Sequence, residues 1–102
     1  MPTVAFLARF KVKPGKAADL IAGFRPAIEQ AEQEPGTLFY ALHRSKDDSE
    51  LFWISELYAD DSAFAVHHGS AVMAAVRPVI AELVAESEQV FGAAVYGKGV
   101  PA

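Results

Sequence analysis

From Thr3 to Lys13 every second position is apolar. Val4, Phe6, Ala8, Phe10 and Val12 share one face, and Thr3, Ala5, Leu7, Arg9, Lys11 and Lys13 share the other. A period of two predicts a strand, and Pro14-Gly15 stops it. From Lys16 to about Glu34 the spacing becomes helical, with Ala17, Leu20, Ile21, Phe24, Ile28 and Ala31 along one stripe. Pro26 inside that stripe predicts a kink or a local break. Glu34-Pro35-Gly36 ends the helix. Thr37 to Arg44 then reads as a second strand and Leu51 to Tyr58 as a third, joined by the polar turn Ser45 to Glu50 into an antiparallel hairpin. Asp60 or Asp61 is a suitable N-cap for a short helix through His67. Gly69-Ser70 breaks it, and a further helical segment runs from about Ala71 to Glu86, with Met73, Val76, Ile80, Leu83 and Val84 facing inward and Pro78 predicting a second kink. Gln89 to Val95 is the expected last strand, and residues 97–102 a loose tail.

The resulting order, β-α-β-β-α-β, is the ferredoxin-like α+β arrangement, with helices on one face of an antiparallel sheet. Helices cover only one face, yet the second and third strands are apolar on both. Phe39 and Ala41 oppose Leu38, Tyr40 and Leu42; Phe52 and Ile54 oppose Leu51, Trp53 and Leu57. A half-solvated sheet alternates apolar with polar, so the uncovered face is expected to meet the same face of a second copy. The expectation is a homodimer with sheets packed face to face.

At 102 residues the chain suffices for one domain, with an ordered core over about 3–96. A hydrophobic fraction of 52% is rich for so small a monomer and supports a buried subunit interface. Nine basic against 13 acidic residues, with no basic run, argues against nucleic acid as a partner. The absence of cysteine removes disulfides, thiolate metal sites and cysteine nucleophiles. No stretch reads as a secretory signal or approaches membrane-spanning length, so a soluble, cytoplasmic protein without membrane attachment is expected.

Candidate chemistry concentrates between Leu51 and Ser70. Glu56 is a lone acid in an aromatic-rich strand, where burial is costly unless the carboxylate is paired. His67, one short helix away, is the side-chain type suited to proton transfer near neutrality. Apolar walls with a few convergent polar groups describe a small-molecule pocket. Tyr40, Tyr58 and Phe64 are the candidate substrate-contacting aromatics, and Arg77 the candidate partner of an anionic substrate. His68, adjacent to His67, points about a quarter-turn or more away around the helix and is expected to face solvent. His43 is expected to be structural, in the dimer interface, and Trp53 to face the partner. His67-His68 is too tight a pair to ligate a metal on one face.

With this order of elements the sequence resembles the antibiotic-biosynthesis monooxygenase (ABM) family of small dimeric α+β barrels. The resemblance rests on FKVKPGK at the end of the first strand, EPGTLFYAL entering the second and, most specifically, SELYADDSAFAVHHGS from the third strand into the helix. It implies cofactor-free oxygenation of quinol or polyphenol-like substrates in some members. Others are haem-degrading enzymes, isomerases, or proteins with no established activity. Two departures stand out. The family often carries a second histidine and a phenylalanine after the serine, where Ser70 here is followed by Ala71, Val72 and Met73. The haem-degrading branch uses asparagine, tryptophan and histidine at positions occupied here by Ala8, His67 and Val76, so haem is not expected; without a Gly-rich dinucleotide turn, thiolates or a spaced ligand set, no other cofactor or metal is expected either.

Metal-free oxygenation needs an electron-rich substrate that ionises, a base near pH 7, a dry pocket and donors for the developing oxyanion. His67 is the expected base. Glu56 would orient it, unless that carboxylate is a structural partner of Arg9, Arg44 or a capping amide. Two other readings remain open at this level: an isomerase or lyase in which His67 and Glu56 shuttle protons, and a non-catalytic dimeric module that binds an apolar small molecule.

Overall fold

The computed structural model describes residues 3–101. Its elements run β1 (Val4–Val12), α1 (Ala17–Glu32), β2 (Thr37–Arg44), β3 (Leu51–Tyr58), α2 (Asp61–His68), α3 (Ala71–Leu83) and β4 (Val84–Gly92). The four strands form one antiparallel sheet in the order β2-β3-β1-β4. This is the ferredoxin-like α+β fold, with the second helical crossover split in two at Gly69-Ser70.

The period-two pattern does the expected work on the two central strands. Val4, Ala8, Phe10 and Val12 of β1 and Phe52, Ile54, Glu56 and Tyr58 of β3 are buried on one face. There Ala8, Phe10, Val12, Phe52 and Ile54 form a core with Leu20, Phe24 and Ala27 of α1 and Met73, Val76 and Ile80 of α3. Gly23 lets α1 and α3 approach closely: a Cβ there would lie 3.2 Å from Ile80 Cδ1 and 3.3 Å from Val79 Cγ1. The opposite face carries Leu7, Phe39, Leu51, Trp53, Leu57 and Val90, with His43 stacked on Trp53 at 5.4 Å between ring centroids. Phe39 is 51% exposed and Val90 61%, so this face is apolar and uncovered in the single chain.

Three sequence expectations need correction. The last strand is Val84–Gly92, not Gln89–Val95, and α3 ends at Leu83, not Glu86. Val84 therefore reaches the core from a strand that pairs with β1. The polar run Ala85 to Gln89 looks helical by composition. It forms a strand because β4 is an edge strand, where charged residues are tolerated and the ladder to β1 supplies the backbone hydrogen bonds. Pro26 does not break α1, which continues through it to Glu32. Beyond Gly92 the chain up to Pro101 has neither helix nor strand. The expected tail lies within that stretch, except Ala102, which is outside the described residues.

Two caps fix the split crossover. Asp60 Oδ1 accepts from Ala63 N at 2.8 Å to start α2. Ser70 Oγ accepts from Met73 N at 3.2 Å to start α3 and donates to the His67 carbonyl at 2.7 Å. The turn between α1 and β2 is held just as closely against α2. Ala59 N donates to Gly36 O at 2.9 Å, and a Cβ on Gly36 would stand 2.5 Å from the Cβ of Ala63. Only glycine permits this approach. Gly36→Ala is expected to push α2 off the turn and destabilise the protein by about 1–3 kcal/mol, measured by urea denaturation. Unchanged stability would show that α2 moves freely.

Candidate functional site

A cavity of about 550 Å³ opens between the helices and the β4 side of the sheet. Its walls are largely apolar, with Phe6, Phe10, Ile54, Phe64, Val76 and Ile80 among them; the polar groups Tyr40, Glu56, His68 and Arg77 also line it. The volume falls within the usual range for small-molecule sites. The helices leave β4 uncovered, so the cavity is open along Ser87 and Gln89.

Each of the two adjacent histidines of α2 binds a different carboxylate. His67 is 0% exposed, and its Nδ1 lies 2.7 Å from Glu34 Oε1. Glu34 also accepts from Gln30 Nε2 at 2.9 Å and from Thr37 Oγ1 at 2.8 Å. Burial pulls the Glu34 carboxyl up, but the hydrogen bonds from Gln30, Thr37 and His67 together outweigh it and hold the group below its ordinary value. Glu34 is thus an ionised acceptor, and His67 presents Nδ1–H to it. His68 Nε2 lies 2.8 Å from Glu56 Oε1, and Tyr58 donates its hydroxyl to the same oxygen. The His68 ring stacks on Phe64 at 4.2 Å and meets Phe6 edge-on at 5.2 Å. The Arg77 guanidinium donates to the His68 carbonyl, tying α3 to the end of α2.

These positions correct the expectations for the two histidines. His67 does not line the cavity; it points into the layer between α2 and the α1–β2 turn. His68 is not solvent-facing; it lines the cavity and takes Glu56 as its partner. A step of about 100° per residue separates the two rings, but the end of α2 is wedged between protein on both sides, so both directions lead inward. Glu56 therefore pairs with His68, and neither Arg9 nor Arg44 reaches it: Arg9 pairs with Glu88 and Arg44 bonds the Ser49 carbonyl. Of the candidate substrate contacts, Tyr40, Phe64 and Arg77 line the cavity, whereas Tyr58 is buried with its hydroxyl on Glu56. Burial, and for Tyr58 also the bond to Glu56, keeps both tyrosine hydroxyls well above the ordinary phenol range, so they remain neutral.

Glu34 went unrecognised in the sequence, where Glu34-Pro35-Gly36 reads only as a helix stop. Its partner is 33 residues away, and no local pattern connects them. Among the described residues no cluster of three or more histidines and carboxylates is placed to hold a metal ion. Val76 is a buried wall residue of the cavity. No helix among the described residues is long and apolar enough to cross a membrane.

The family model described as antibiotic biosynthesis monooxygenase matches residues 3–79. The chain belongs to this family. No curated protein matches it. Solved structures that share the fold include two proteins each named "putative antibiotic biosynthesis monooxygenase". The one from Caulobacter crescentus CB15 is 29% identical over 93% of this chain and 92% of its own, with a TM-score of 0.85. The one from Nitrosomonas europaea is 25% identical over 92% and 91%, also at 0.85. A protein from Shewanella oneidensis is 26% identical over 91% of each chain, at 0.83. The family match stops inside α3, so β4 and the open side of the cavity lie beyond it.

Because the Glu34 carboxyl is held below its unfolded value, it stabilises the fold above about pH 4.5, and that contribution is lost as pH falls through its folded value. Wild-type stability, followed by urea denaturation at a series of pH values, is expected to fall between about pH 5 and pH 3. Asp48, paired with Lys11, titrates in the same direction, so the comparison with Glu34→Gln isolates the buried pair. The variant is expected to be less stable at pH 7 and to lose less on acidification. Parallel pH curves would remove Glu34 from this role.

Proposed function

We propose that this protein is a cofactor-independent oxygenase that oxidises a quinol or polyphenol-like small molecule with dioxygen, acting in the cytoplasm as a homodimer. The observation that carries this reading is the Glu56–His68 pair at the wall of an apolar cavity. With Glu56 accepting from Nε2–H, the neutral imidazole of His68 keeps its lone pair on Nδ1. It is thereby a general base oriented by a carboxylate. It removes a phenolic proton, and the resulting phenolate gives an electron to dioxygen. The substrate radical and superoxide then combine at a ring carbon to give a carbon-bound peroxide. Loss of the ring C–H proton and cleavage of the O–O bond leave the oxidised product and water: a quinol plus O₂ gives a hydroxyquinone plus H₂O. The aromatic walls take the flat rings, and Arg77, the one lysine or arginine among the described residues lining the cavity, takes a carbonyl or an anionic substituent. Membership of a family named for monooxygenases supports the reaction class.

The base assigned here is His68, with Glu56 as its partner, and not His67. His68→Ala is expected to lower turnover of an accepted quinol by roughly 10²–10⁴-fold with the fold intact, and Glu56→Gln by less. Oxygen uptake measured with product formation tests this. Turnover without oxygen uptake would favour an isomerase or lyase, and binding without turnover a ligand-binding module. Unchanged oxidation in His68→Ala would retire the base.

The homodimer is proposed to form through the uncovered sheet face, around Trp53, Leu57, Phe39 and Val90. Sedimentation at micromolar concentration is expected to give about twice 10.9 kDa. A charge at Leu57 is expected to unfold the protein as well as dissociate it. A clean monomer would remove the face-to-face arrangement.

A further inference from the structure

Among the described residues, two buried side-chain polar atoms are left without a partner, the Tyr40 hydroxyl and His67 Nε2. They belong to neighbouring rings, whose centroids are 4.7 Å apart. Behind His67, Nδ1 is anchored on Glu34; in front of it, the Tyr40 ring lines the cavity. Buried polar atoms without partners are uncommon and call for an explanation. These two, one on a residue that lines the cavity and one on a ring backed by a carboxylate, share one. We propose that Glu34, His67 and Tyr40 form a proton relay into the cavity, with the Tyr40 hydroxyl as a second proton-transfer group separate from His68.

The chemistry of the three groups fits a relay. With Nδ1–H given to Glu34, a neutral His67 has its lone pair on Nε2 and can accept from the Tyr40 O–H once the rings reorient or one water bridges them. With both nitrogens protonated, Nε2–H donates to the Tyr40 oxygen while the Tyr40 proton is free to leave toward the cavity. Burial keeps the Tyr40 phenol neutral, so Tyr40 can pass a proton only if a partner behind it takes or supplies one. His67 is that partner, and Glu34 is the positioning residue that fixes its tautomer.

This inference rests on the proposed oxidation, which has two proton problems and a single histidine in the cavity wall. His68 takes the phenolic proton and later returns it to the hydroxide that leaves when the O–O bond breaks, forming water. The peroxide anion also needs a proton, and the ring C–H must lose one. Tyr40 gives its proton to the peroxide as His67 refills it from Nε2–H. When the C–H bond breaks, its electrons form the carbon–oxygen double bond, and its proton returns to the Tyr40 oxygen as Tyr40 passes its own back to Nε2. Protons taken from each group equal those returned, and dioxygen accepts the electrons.

Two measurements on the intact protein test the relay. Without substrate, imidazole ¹⁵N spectra are expected to show the His67 Nε2 resonance shifting in Tyr40→Phe, which keeps the ring and hence the packing, and the Nδ1 resonance shifting in Glu34→Gln. With 1,4-naphthalenediol and oxygen, Tyr40→Phe is expected to lower kcat roughly 10²-fold with KM within about twofold of wild type. Glu34→Gln is expected to lower kcat by a smaller factor. A Nε2 resonance indifferent to Tyr40→Phe, or an unchanged kcat, overturns the relay. If the wild type does not oxidise the diol but Nε2 responds to Tyr40→Phe, the oxidation falls and the hydrogen-bonded chain from Glu34 to the cavity stands.

Discussion

The bond between Glu34 and His67 ties together parts of the chain that the sheet alone would leave loose. Glu34 sits in the turn that leaves α1, and His67 near the end of α2. Neither side chain tolerates burial alone; together, with Gln30 and Thr37 completing the carboxylate's shell, they hold α2 against the start of β2. Removing one partner of such a buried pair costs about 3–5 kcal/mol, because the other is left without compensation. Gly36 makes the geometry possible by letting the turn pass within contact of Ala63. The orientation of α2, and with it the direction of both histidines, follows from this pair.

With α2 fixed in that way, the next residue along the helix has one direction left. His68 is turned toward the sheet, into a wall built by Phe6 and Phe64. There it meets Glu56, the one carboxylate on the helix-facing side of β3. Two acid–histidine pairs thus stand side by side, with ring centroids of the histidines 5.3 Å apart, one sealed and one at a cavity. Burial separates their roles. A sealed imidazole can hold a tautomer and exchange protons only through a neighbour; one at the wall can meet a substrate directly.

The sheet imposes the other constraint. Its helix-facing side is closed over β1 and β3 but open over β4, because α3 leads straight into that strand at Val84 and no helix remains to cover it. The same short connection leaves the cavity accessible along Ser87 and Gln89. On the far side, the apolar row containing Trp53 and Leu57 stays uncovered in one chain.

The sequence alone determined the fold, since period-two and helical patterns act locally and each strand of the sheet needs a buried face. It located β2 and β3 to the residue, offered Asp60 or Asp61 as the cap of α2 and Gly69-Ser70 as the break after it, singled out Glu56 in an apolar strand, and named Tyr40, Tyr58, Phe64 and Arg77 as candidate substrate contacts. It misplaced β4, because an edge strand draws its stability from pairing with β1 and shows little of its own periodicity in Ala85 to Gln89. Which histidine meets the cavity was decided only by the tertiary structure. On an isolated helix His67 and His68 differ by an angle; only the packing of α2 between Glu34 and Glu56 turns that angle into a sealed residue and an accessible one. Glu34 was invisible for the same reason: its meaning lies in a contact 33 residues away, and no local spacing encodes a contact that the folded chain alone creates.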